Sequence, residues 1–294
     1  MEFLQQLING LALGSVYALI AIGYTMVYGI IGLINFAHGD IYMMGAFFGF
    51  FAATSFKLPF IPTLIIAMLG SALLGIIIEK IAYKPLRNSP KLSLLITAIG
   101  MSLLLENGSR LDFIFGPDYR TYPSNLLPSK VINFGSLRLD SLHIIIILIS
   151  ILLALVLQFV VYKTKVGKAM RATSFDKDAA ALMGININNI ISITFAIGSA
   201  LAGAAGVLVG ILYSRIDPYM GIMPGLKAFI AAVLGGIGII PGAVLGGVIM
   251  GIAETFTKVY ISSKLSDAIA FAILILILLI KPSGLLGKKP NVKV

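Results

Sequence analysis

Long apolar runs alternate with short polar ones along this chain, and the runs approach the length of a bilayer-crossing helix, roughly 20 residues. They lie near residues 7 to 30, 41 to 56, 59 to 78, 92 to 108, 142 to 162, 189 to 213, 225 to 239, 242 to 260 and 266 to 280. The polar intervals are brief, except for 109 to 141 and 163 to 188. The pattern predicts an all-α fold, a polytopic transmembrane helical bundle of about 8 to 9 membrane segments. It forms one transmembrane domain over 1 to 294, with a structured loop at 163 to 188 and a polar tail at 281 to 294.

Composition supports lipid as the solvent. Hydrophobic residues make up 59% of the chain and charged residues 12%, against about 25% charged in an average soluble domain. A net charge of +10 fits either a nucleic-acid binder or a membrane protein with basic loops, and its distribution decides. More than half of the 22 Lys and Arg lie in three stretches: Lys80, Lys84, Arg87 and Lys91; Lys163, Lys165, Lys168, Arg171 and Lys177; Lys281, Lys288, Lys289 and Lys293. The positive-inside rule puts all three on the cytoplasmic side of the inner membrane, with the C-terminus. Lipid is then the partner of the charge, and nucleic acid is not needed.

The even number of crossings between these stretches agrees with that placement. It puts 109 to 141 outside, despite Arg110, Arg120, Lys130 and Arg138, which Asp112, Asp118 and Asp140 offset. The N-terminus would lie outside unless a re-entrant turn intervenes. Met1 to Gln6 lacks the basic region of a signal peptide, so the first run is expected to stay as a helix. Tyr83, Tyr162, Tyr213 and Tyr260 fall at expected helix ends, where amphipathic rings suit the headgroup level. Glycines recur at four-residue spacing, as in Gly10 and Gly14, Gly45 and Gly49, Gly206 and Gly210, Gly242 and Gly246, and Gly247 and Gly251. In lipid, such spacing favours close helix packing.

Several chemistries are disfavoured. There is no cysteine for disulfides or thiolate metal sites, no P-loop pattern for ATP, and two histidines, His38 and His143, do not make a metal or nucleophile site. No catalytic residue is assigned. The polar candidates lie at expected membrane depth. The stretch Ile34-Asn35-Phe36-Ala37-His38-Gly39-Asp40 interrupts two apolar runs and reads either as a broken helix facing a polar pathway or as an ordinary turn. Tyr17, Tyr24 and Tyr28 share a face of the first helix and either line a passage or pack. Glu106, Asn107, Lys227 and Glu254 complete the set, and Lys227 and Glu254 would be structural if paired with each other. In the 163 to 188 loop, Ala and Leu favour short surface helices that stop at Gly184.

These residues carry a resemblance. The stretch Asn9 to Leu19, the run Gly32-Leu33-Ile34-Asn35-Phe36-Ala37-His38-Gly39-Asp40, the stretch Gly167 to Arg171, and Lys281-Pro282-Ser283-Gly284-Leu285-Leu286-Gly287 resemble the permease subunits of ATP-binding-cassette importers for branched-chain amino acids, the LivH type. The resemblance covers nearly the whole chain. It implies a non-catalytic translocation subunit that works with two cytoplasmic ATPase subunits, a second, paralogous permease, and a periplasmic or lipid-anchored amino-acid-binding protein. This chain would bind no cofactor itself, since ATP and Mg sit on the ATPases.

The coupling loop of such importers reads Glu-Ala-Ala, three residues, Gly; here Asp178-Ala179-Ala180 and Gly184 match with Asp for Glu, while the following Ile-x-Leu-Pro is missing. The expected coupling residues are thus Gly167, Arg171, Asp178, Ala179 and Gly184, and the expected pathway residues Tyr17, Tyr24, Asn35, His38 and Glu254. The competing functions are a permease of the same family for urea, an amide or a sugar, a self-contained channel or secondary transporter, and a purely structural membrane protein.

Overall fold

The computed structural model describes residues 2–87, 89–123, 125–134 and 137–287. Its helices are α1 (Glu2–Ile31), α2 (His38–Thr54), α3 (Phe60–Ile78), α4 (Lys91–Ser109), α5 (Ser141–Lys163), α6 (Lys165–Phe175), α7 (Lys177–Leu182), α8 (Ile187–Tyr213), α9 (Ile222–Gly235), α10 (Ile240–Tyr260) and α11 (Ser266–Ile280). A π-helical turn, Glu79–Tyr83, extends α3. Two small antiparallel ribbons are the only strands among the described residues: β1 (Arg120–Thr121) with β4 (Arg215–Ile216), and β2 (Val131–Phe134) with β3 (Leu137–Asp140).

Among the described residues, seven helices are long and apolar enough to cross a bilayer. The two shorter members of the expected set are α2, with 17 residues, and α9, with 14. At 1.5 Å per residue they reach only about 26 and 21 Å, short of a hydrocarbon core of about 30 Å. The seventh segment, expected to continue to 239, ends at Gly235 because the backbone turns there: Gly236 has φ +110° and Gly238 φ +91°.

Both short helices begin inside the bundle. The N-terminus of α2 at Gly39 lies against Gly221 and Gly225 at the start of α9, with a Cβ built on Gly39 3.0 Å from the Gly225 Cα. From that meeting point the two run to opposite faces, α2 alongside α8 and α9 alongside α1. The order of a long helix, a half-entering helix and two more spans occurs twice, as α1–α4 and as α8–α11, with opposite direction. Its packing repeats as well: α1 lies on α10 as α8 lies on α3, and α1 on α9 as α8 on α2. No sequence period signals this inverted repeat.

Burial sorts the helices. In the apolar window of α1, 94% of residues are buried, against 17% in α4 and in α11. The axis of the bundle is therefore α1 with α8, and the outer helices turn Leu69, Phe159 and Leu279 outward. Glycine makes the central crossings possible. A Cβ on Gly251 would overlap the backbone of Gly14 between α1 and α10, and one on Gly45 would overlap Gly203 between α2 and α8. Backbones this close gain dispersion contacts, which is what holds helices together where lipid supplies no hydrophobic drive.

The basic stretches share one face. Arg87 Nη1 donates to Asn188 Oδ1 at 2.5 Å, Ser174 Oγ to the Gly29 carbonyl at 2.6 Å, and the Lys281–Gly287 strip folds beneath α9. There the amides of Leu285 and Leu286 donate to the carbonyls of Leu234 and Gly235 at 2.8 and 3.0 Å, which satisfies helix-end carbonyls that lack an intrahelical partner. Lys288, Lys289 and Lys293 of the expected tail lie outside the described residues. The β ribbons sit on the opposite face. Tyr83 differs from its expected place in the aromatic belt: it is 1% exposed, because the π turn carries its ring inward onto Phe195, 5.3 Å away. Tyr162, Tyr213 and Tyr260 are exposed.

The crossing at Gly45 makes a test. Gly45→Val should lower stability by about 1–3 kcal/mol or prevent folding, whereas Gly100→Ala, which meets nothing within 4 Å in the α4 interior, should raise it by about 0.5–1 kcal/mol. Thermal unfolding of the purified protein in detergent reads both.

Candidate functional site

The expected pathway residues fall into two separate clusters. The first is built on the break between α1 and α2. Gly32, at φ +76°, ends α1 with its amide on the Tyr28 carbonyl at 2.7 Å, and residues 33 to 37 fold back so that α2 starts at depth. Asn35 is 2% exposed, and its Oδ1 accepts from Tyr83 Oη at 2.8 Å. His38, 1% exposed, stands edge-on to Tyr24 with centroids 4.7 Å apart, in room that Gly23 leaves by having no side chain. Asp40, in the first turn of α2 where the helix dipole favours an anion, accepts from the Ser102 hydroxyl of α4.

Beside this cluster is a cavity of about 190 Å³. Tyr24, Asp40, Ser102 and Glu106 face it, and the glycine-rich starts of α2 and α9 close one side. Two helix N-termini, two carboxylates and a hydroxyl at depth form a polar pocket in an otherwise apolar bundle.

The second cluster joins α1, α9, α10 and α11. Tyr17 Oη donates to Glu254 Oε2 at 2.8 Å, and Glu254 Oε1 takes Lys227 Nζ at 2.8 Å and Lys258 Nζ at 2.6 Å. Lys227 also meets Asp267 at 2.8 Å. Glu254 and Lys227 are therefore paired, the structural alternative their sequence positions allowed, and a buried charge persists only when satisfied in this way. Two positive and two negative groups make this network neutral. Tyr17 and Tyr24, on one helix, thus serve different clusters.

The expected coupling residues lie at the basic face. Thr164 caps α6 by accepting from the Gly167 amide at 3.1 Å, and a Cβ on Gly167 would overlap the carbonyls of Val160 and Val161. Arg171 donates to the Val161 carbonyl and lies 5.2 Å over the Tyr162 ring, fastening α6 to the end of α5. Asp176, rather than Asp178, caps α7, accepting from the Ala179 amide at 3.0 Å. Asp178 is exposed in the first turn. Gly184, at φ +81°, closes α7, as its sequence position predicts. Around these helices stand Phe175, 88% exposed, Leu182, 89%, and Met183, 83%. Three large apolar side chains at a polar face form an uncovered contact surface.

Three contributors, Ser102, Tyr83 and Glu79, were not among the sequence candidates. Ser102 lies four residues before the candidate Glu106 on α4, a spacing that places both on one face and that would have joined it to the polar break. Tyr83 and Glu79 gave no such signal: Glu79 is fully buried, bonded to Arg87 and, at 2.6 Å, to the Ser192 hydroxyl. Arg87, expected as a loop charge, turns inward to reach it.

Residues 6–278 match the family model described as branched-chain amino acid transport system / permease component. The chain is similar to the high-affinity branched-chain amino acid transport system permease protein LivH of Salmonella typhimurium, 45% identical over 99% of this chain and 98% of that protein. It is also similar to the high-affinity branched-chain amino acid transport system permease protein BraD of Pseudomonas aeruginosa, 44% identical over 100% and 98% of the two chains. The ribose import permease protein RbsC of Haemophilus influenzae is 27% identical over 96% of this chain and 86% of that protein.

The charge network predicts unequal costs. Glu254→Leu leaves Lys227 buried beside only the half-exposed Asp267 and should cost about 3–5 kcal/mol. Lys258→Met removes a partner that is 39% exposed and should cost about 1 kcal/mol or less. Denaturation of the two variants in the same detergent compares them directly.

Proposed function

The chain belongs to the permease family of branched-chain amino acid transport systems, and from that we propose that it is the membrane-spanning, non-catalytic subunit of an ATP-driven, binding-protein-dependent importer of branched-chain amino acids. What carries the reading is the match to LivH and BraD at 45% and 44% identity along nearly the full length of each. The sugar alternative is represented by a relative at 27% identity, and the charged polar groups of the bundle suit a zwitterion better than a neutral sugar. The importer would comprise this chain, a second, paralogous permease, two ATPases that hold ATP and Mg, and an amino-acid-binding protein. Reconstituted in proteoliposomes with those components, the complex should take up leucine, isoleucine and valine only when ATP is supplied, and no ribose. Ribose uptake in their place would overturn the reading.

The basic face, with α6, α7 and the C-terminus, is assigned to the cytoplasm of a multi-pass inner-membrane protein, and the ribbon face to the outside. Gly167, Arg171, Asp178, Ala179 and Gly184 then belong to the lever on which an ATPase docks, with Phe175, Leu182 and Met183 as its apolar contact. ATP biases the bundle between inward- and outward-open states only as far as the lever feels the two states differently. Two substitutions test the lever. Arg171→Glu removes the donor that fastens α6 to Val161, and Gly184→Val strains a left-handed position that has open space around it. Each should leave ATP hydrolysis in place while uptake falls about tenfold or more, within the usual range of coupling energies. Unchanged uptake by a stable complex would dismiss the lever.

Asn35, His38 and Tyr24 are assigned to the pathway, and the hydrogen bond to Asn35 supplies the control. Tyr83→Phe removes the same bond as Asn35→Leu, each at about 1–3 kcal/mol of stability. If Asn35 acts on the solute, Asn35→Leu abolishes uptake while Tyr83→Phe retains it. Equal losses would make Asn35 a packing residue.

A further inference from the structure

A seam bounded by α1, α5 and α10 runs from the ribbon face to the basic face, and three cavities lie along it. The first, of about 320 Å³ at the ribbon face, is lined by Asn9, Asp140, His143 and Lys258 together with apolar side chains. An apolar cavity of about 360 Å³ with Ala18, Ile147 and Val244 on its walls continues below. A small one of about 70 Å³, touching Thr25 and Arg171, ends the seam.

We propose that the cavity at the ribbon face is a reception site for a zwitterionic aliphatic amino acid, with Asp140 receiving the ammonium, Lys258 the carboxylate, and Leu13, Leu142 and Leu212 the side chain. The proposal rests on the reading of the chain as an amino-acid permease and adds a site to it. Asp140 and Lys258 bring charges of opposite sign from different walls, Asp140 from the start of α5 and Lys258 from the last turn of α10.

Each charge is oriented and keeps capacity for a ligand. Lys258 Nζ has three donors, one of which reaches Glu254 at 2.6 Å. Glu254 is itself fixed by Tyr17 and Lys227, so Tyr17 and Glu254 are positioning residues for the ammonium of Lys258. Asp140 Oδ1 accepts the Leu142 amide at 2.9 Å, and an ionised carboxylate has acceptor sites for about four bonds. His143 also lines this wall. The volume falls in the range of about 300–1,000 Å³ that holds small ligands. A sugar or a fatty acid would leave the Asp140 carboxylate without an ionic partner, and a sugar would also leave the two free donors of Lys258 without an anion.

A zwitterionic lipid headgroup offers the same two charges, so the test separates the two sources. The chain contains no cysteine, and Thr255→Cys therefore places one thiol of this chain in the cavity. The assembled importer carrying it, in nonionic detergent free of phospholipid, is labelled with a charged methanethiosulfonate, and modification of this chain is read by mass. Millimolar L-leucine should slow labelling at least tenfold. Leucinamide, which lacks the carboxylate, and 4-methylpentanoate, which lacks the ammonium, should not. Lys258→Met and Asp140→Asn should each remove the protection. Asn caps a helix as well as Asp does, so the second variant deletes the charge and keeps the α5 start. In vesicles, both variants should lower the maximal leucine uptake rate at least tenfold.

Protection by phosphatidylethanolamine and not by leucine would overturn the proposal, as would equal protection by all three solutes or full uptake by both variants. The family reading has a separate control: if the unsubstituted importer moves no branched-chain amino acid, that reading fails. If it moves leucine and the thiol is unprotected, only this site fails.

Discussion

Hydrocarbon offers no partner to a backbone amide or carbonyl, so every peptide group of this chain at membrane depth must be satisfied by protein or by an enclosed polar space. That constraint makes the two half-entering helices the decisive feature of the fold. α2 and α9 start inside the bundle, where their first-turn amides lack an intrahelical acceptor, and they are tolerable only because α1, α4 and α8 wrap them. The glycines at the crossings bring the backbones close enough to complete that wrapping. Strip away this enclosure, and the break at residues 32 to 37 would face lipid.

The same constraint sorts the polar side chains. Each buried charge among the described residues finds a partner: Glu79 with Arg87, and Glu254 with Lys227 and Lys258. Asp40 is met by Ser102 beside a cavity that also receives Glu106. The two clusters sit on different seams. One surrounds the meeting of the broken helices, and the other lies beneath the cavity at the ribbon face. An inverted repeat explains why the bundle has two such places. Each half contributes a long helix, a half-helix and a polar residue set, and the halves meet head to head at Gly39 and Gly221.

At the basic face the physics changes from packing to docking. α6 is fastened to α5 through Arg171 and Thr164, and α7 is capped at both ends by Asp176 and Gly184, so the pair is a rigid projection rather than a loose loop. Rigidity is what a lever needs, because a soft element would absorb the motion of its partner. The exposed Phe175, Leu182 and Met183 give that projection a sticky surface, and the C-terminal strip under α9 ties the end of α11 to the same face.

Much of this was legible in the sequence. Apolar run length marked seven of the nine expected spans, since a bilayer sets one length for every crossing helix, but it did not show that α2 and α9 enter only part way. Lys and Arg clustering grouped the loops that share a face, glycine spacing marked the close crossings, and Gly184 marked the end of α7. Each of these signals is local, carried by residues near one another in the chain. What the chain alone left open was which distant groups meet. Tyr83 looked like a belt residue until a π turn rotated it onto Asn35. Tyr17 and Tyr24 looked like one stripe until α10 and α2 claimed them separately. Lys227 and Glu254 stood as two candidates until α9 and α10 brought them to 2.8 Å. Hydrogen bonds and ion pairs form only over a few ångströms, so their partners are chosen by the packing of helices far apart in sequence, and that choice belongs to the tertiary structure.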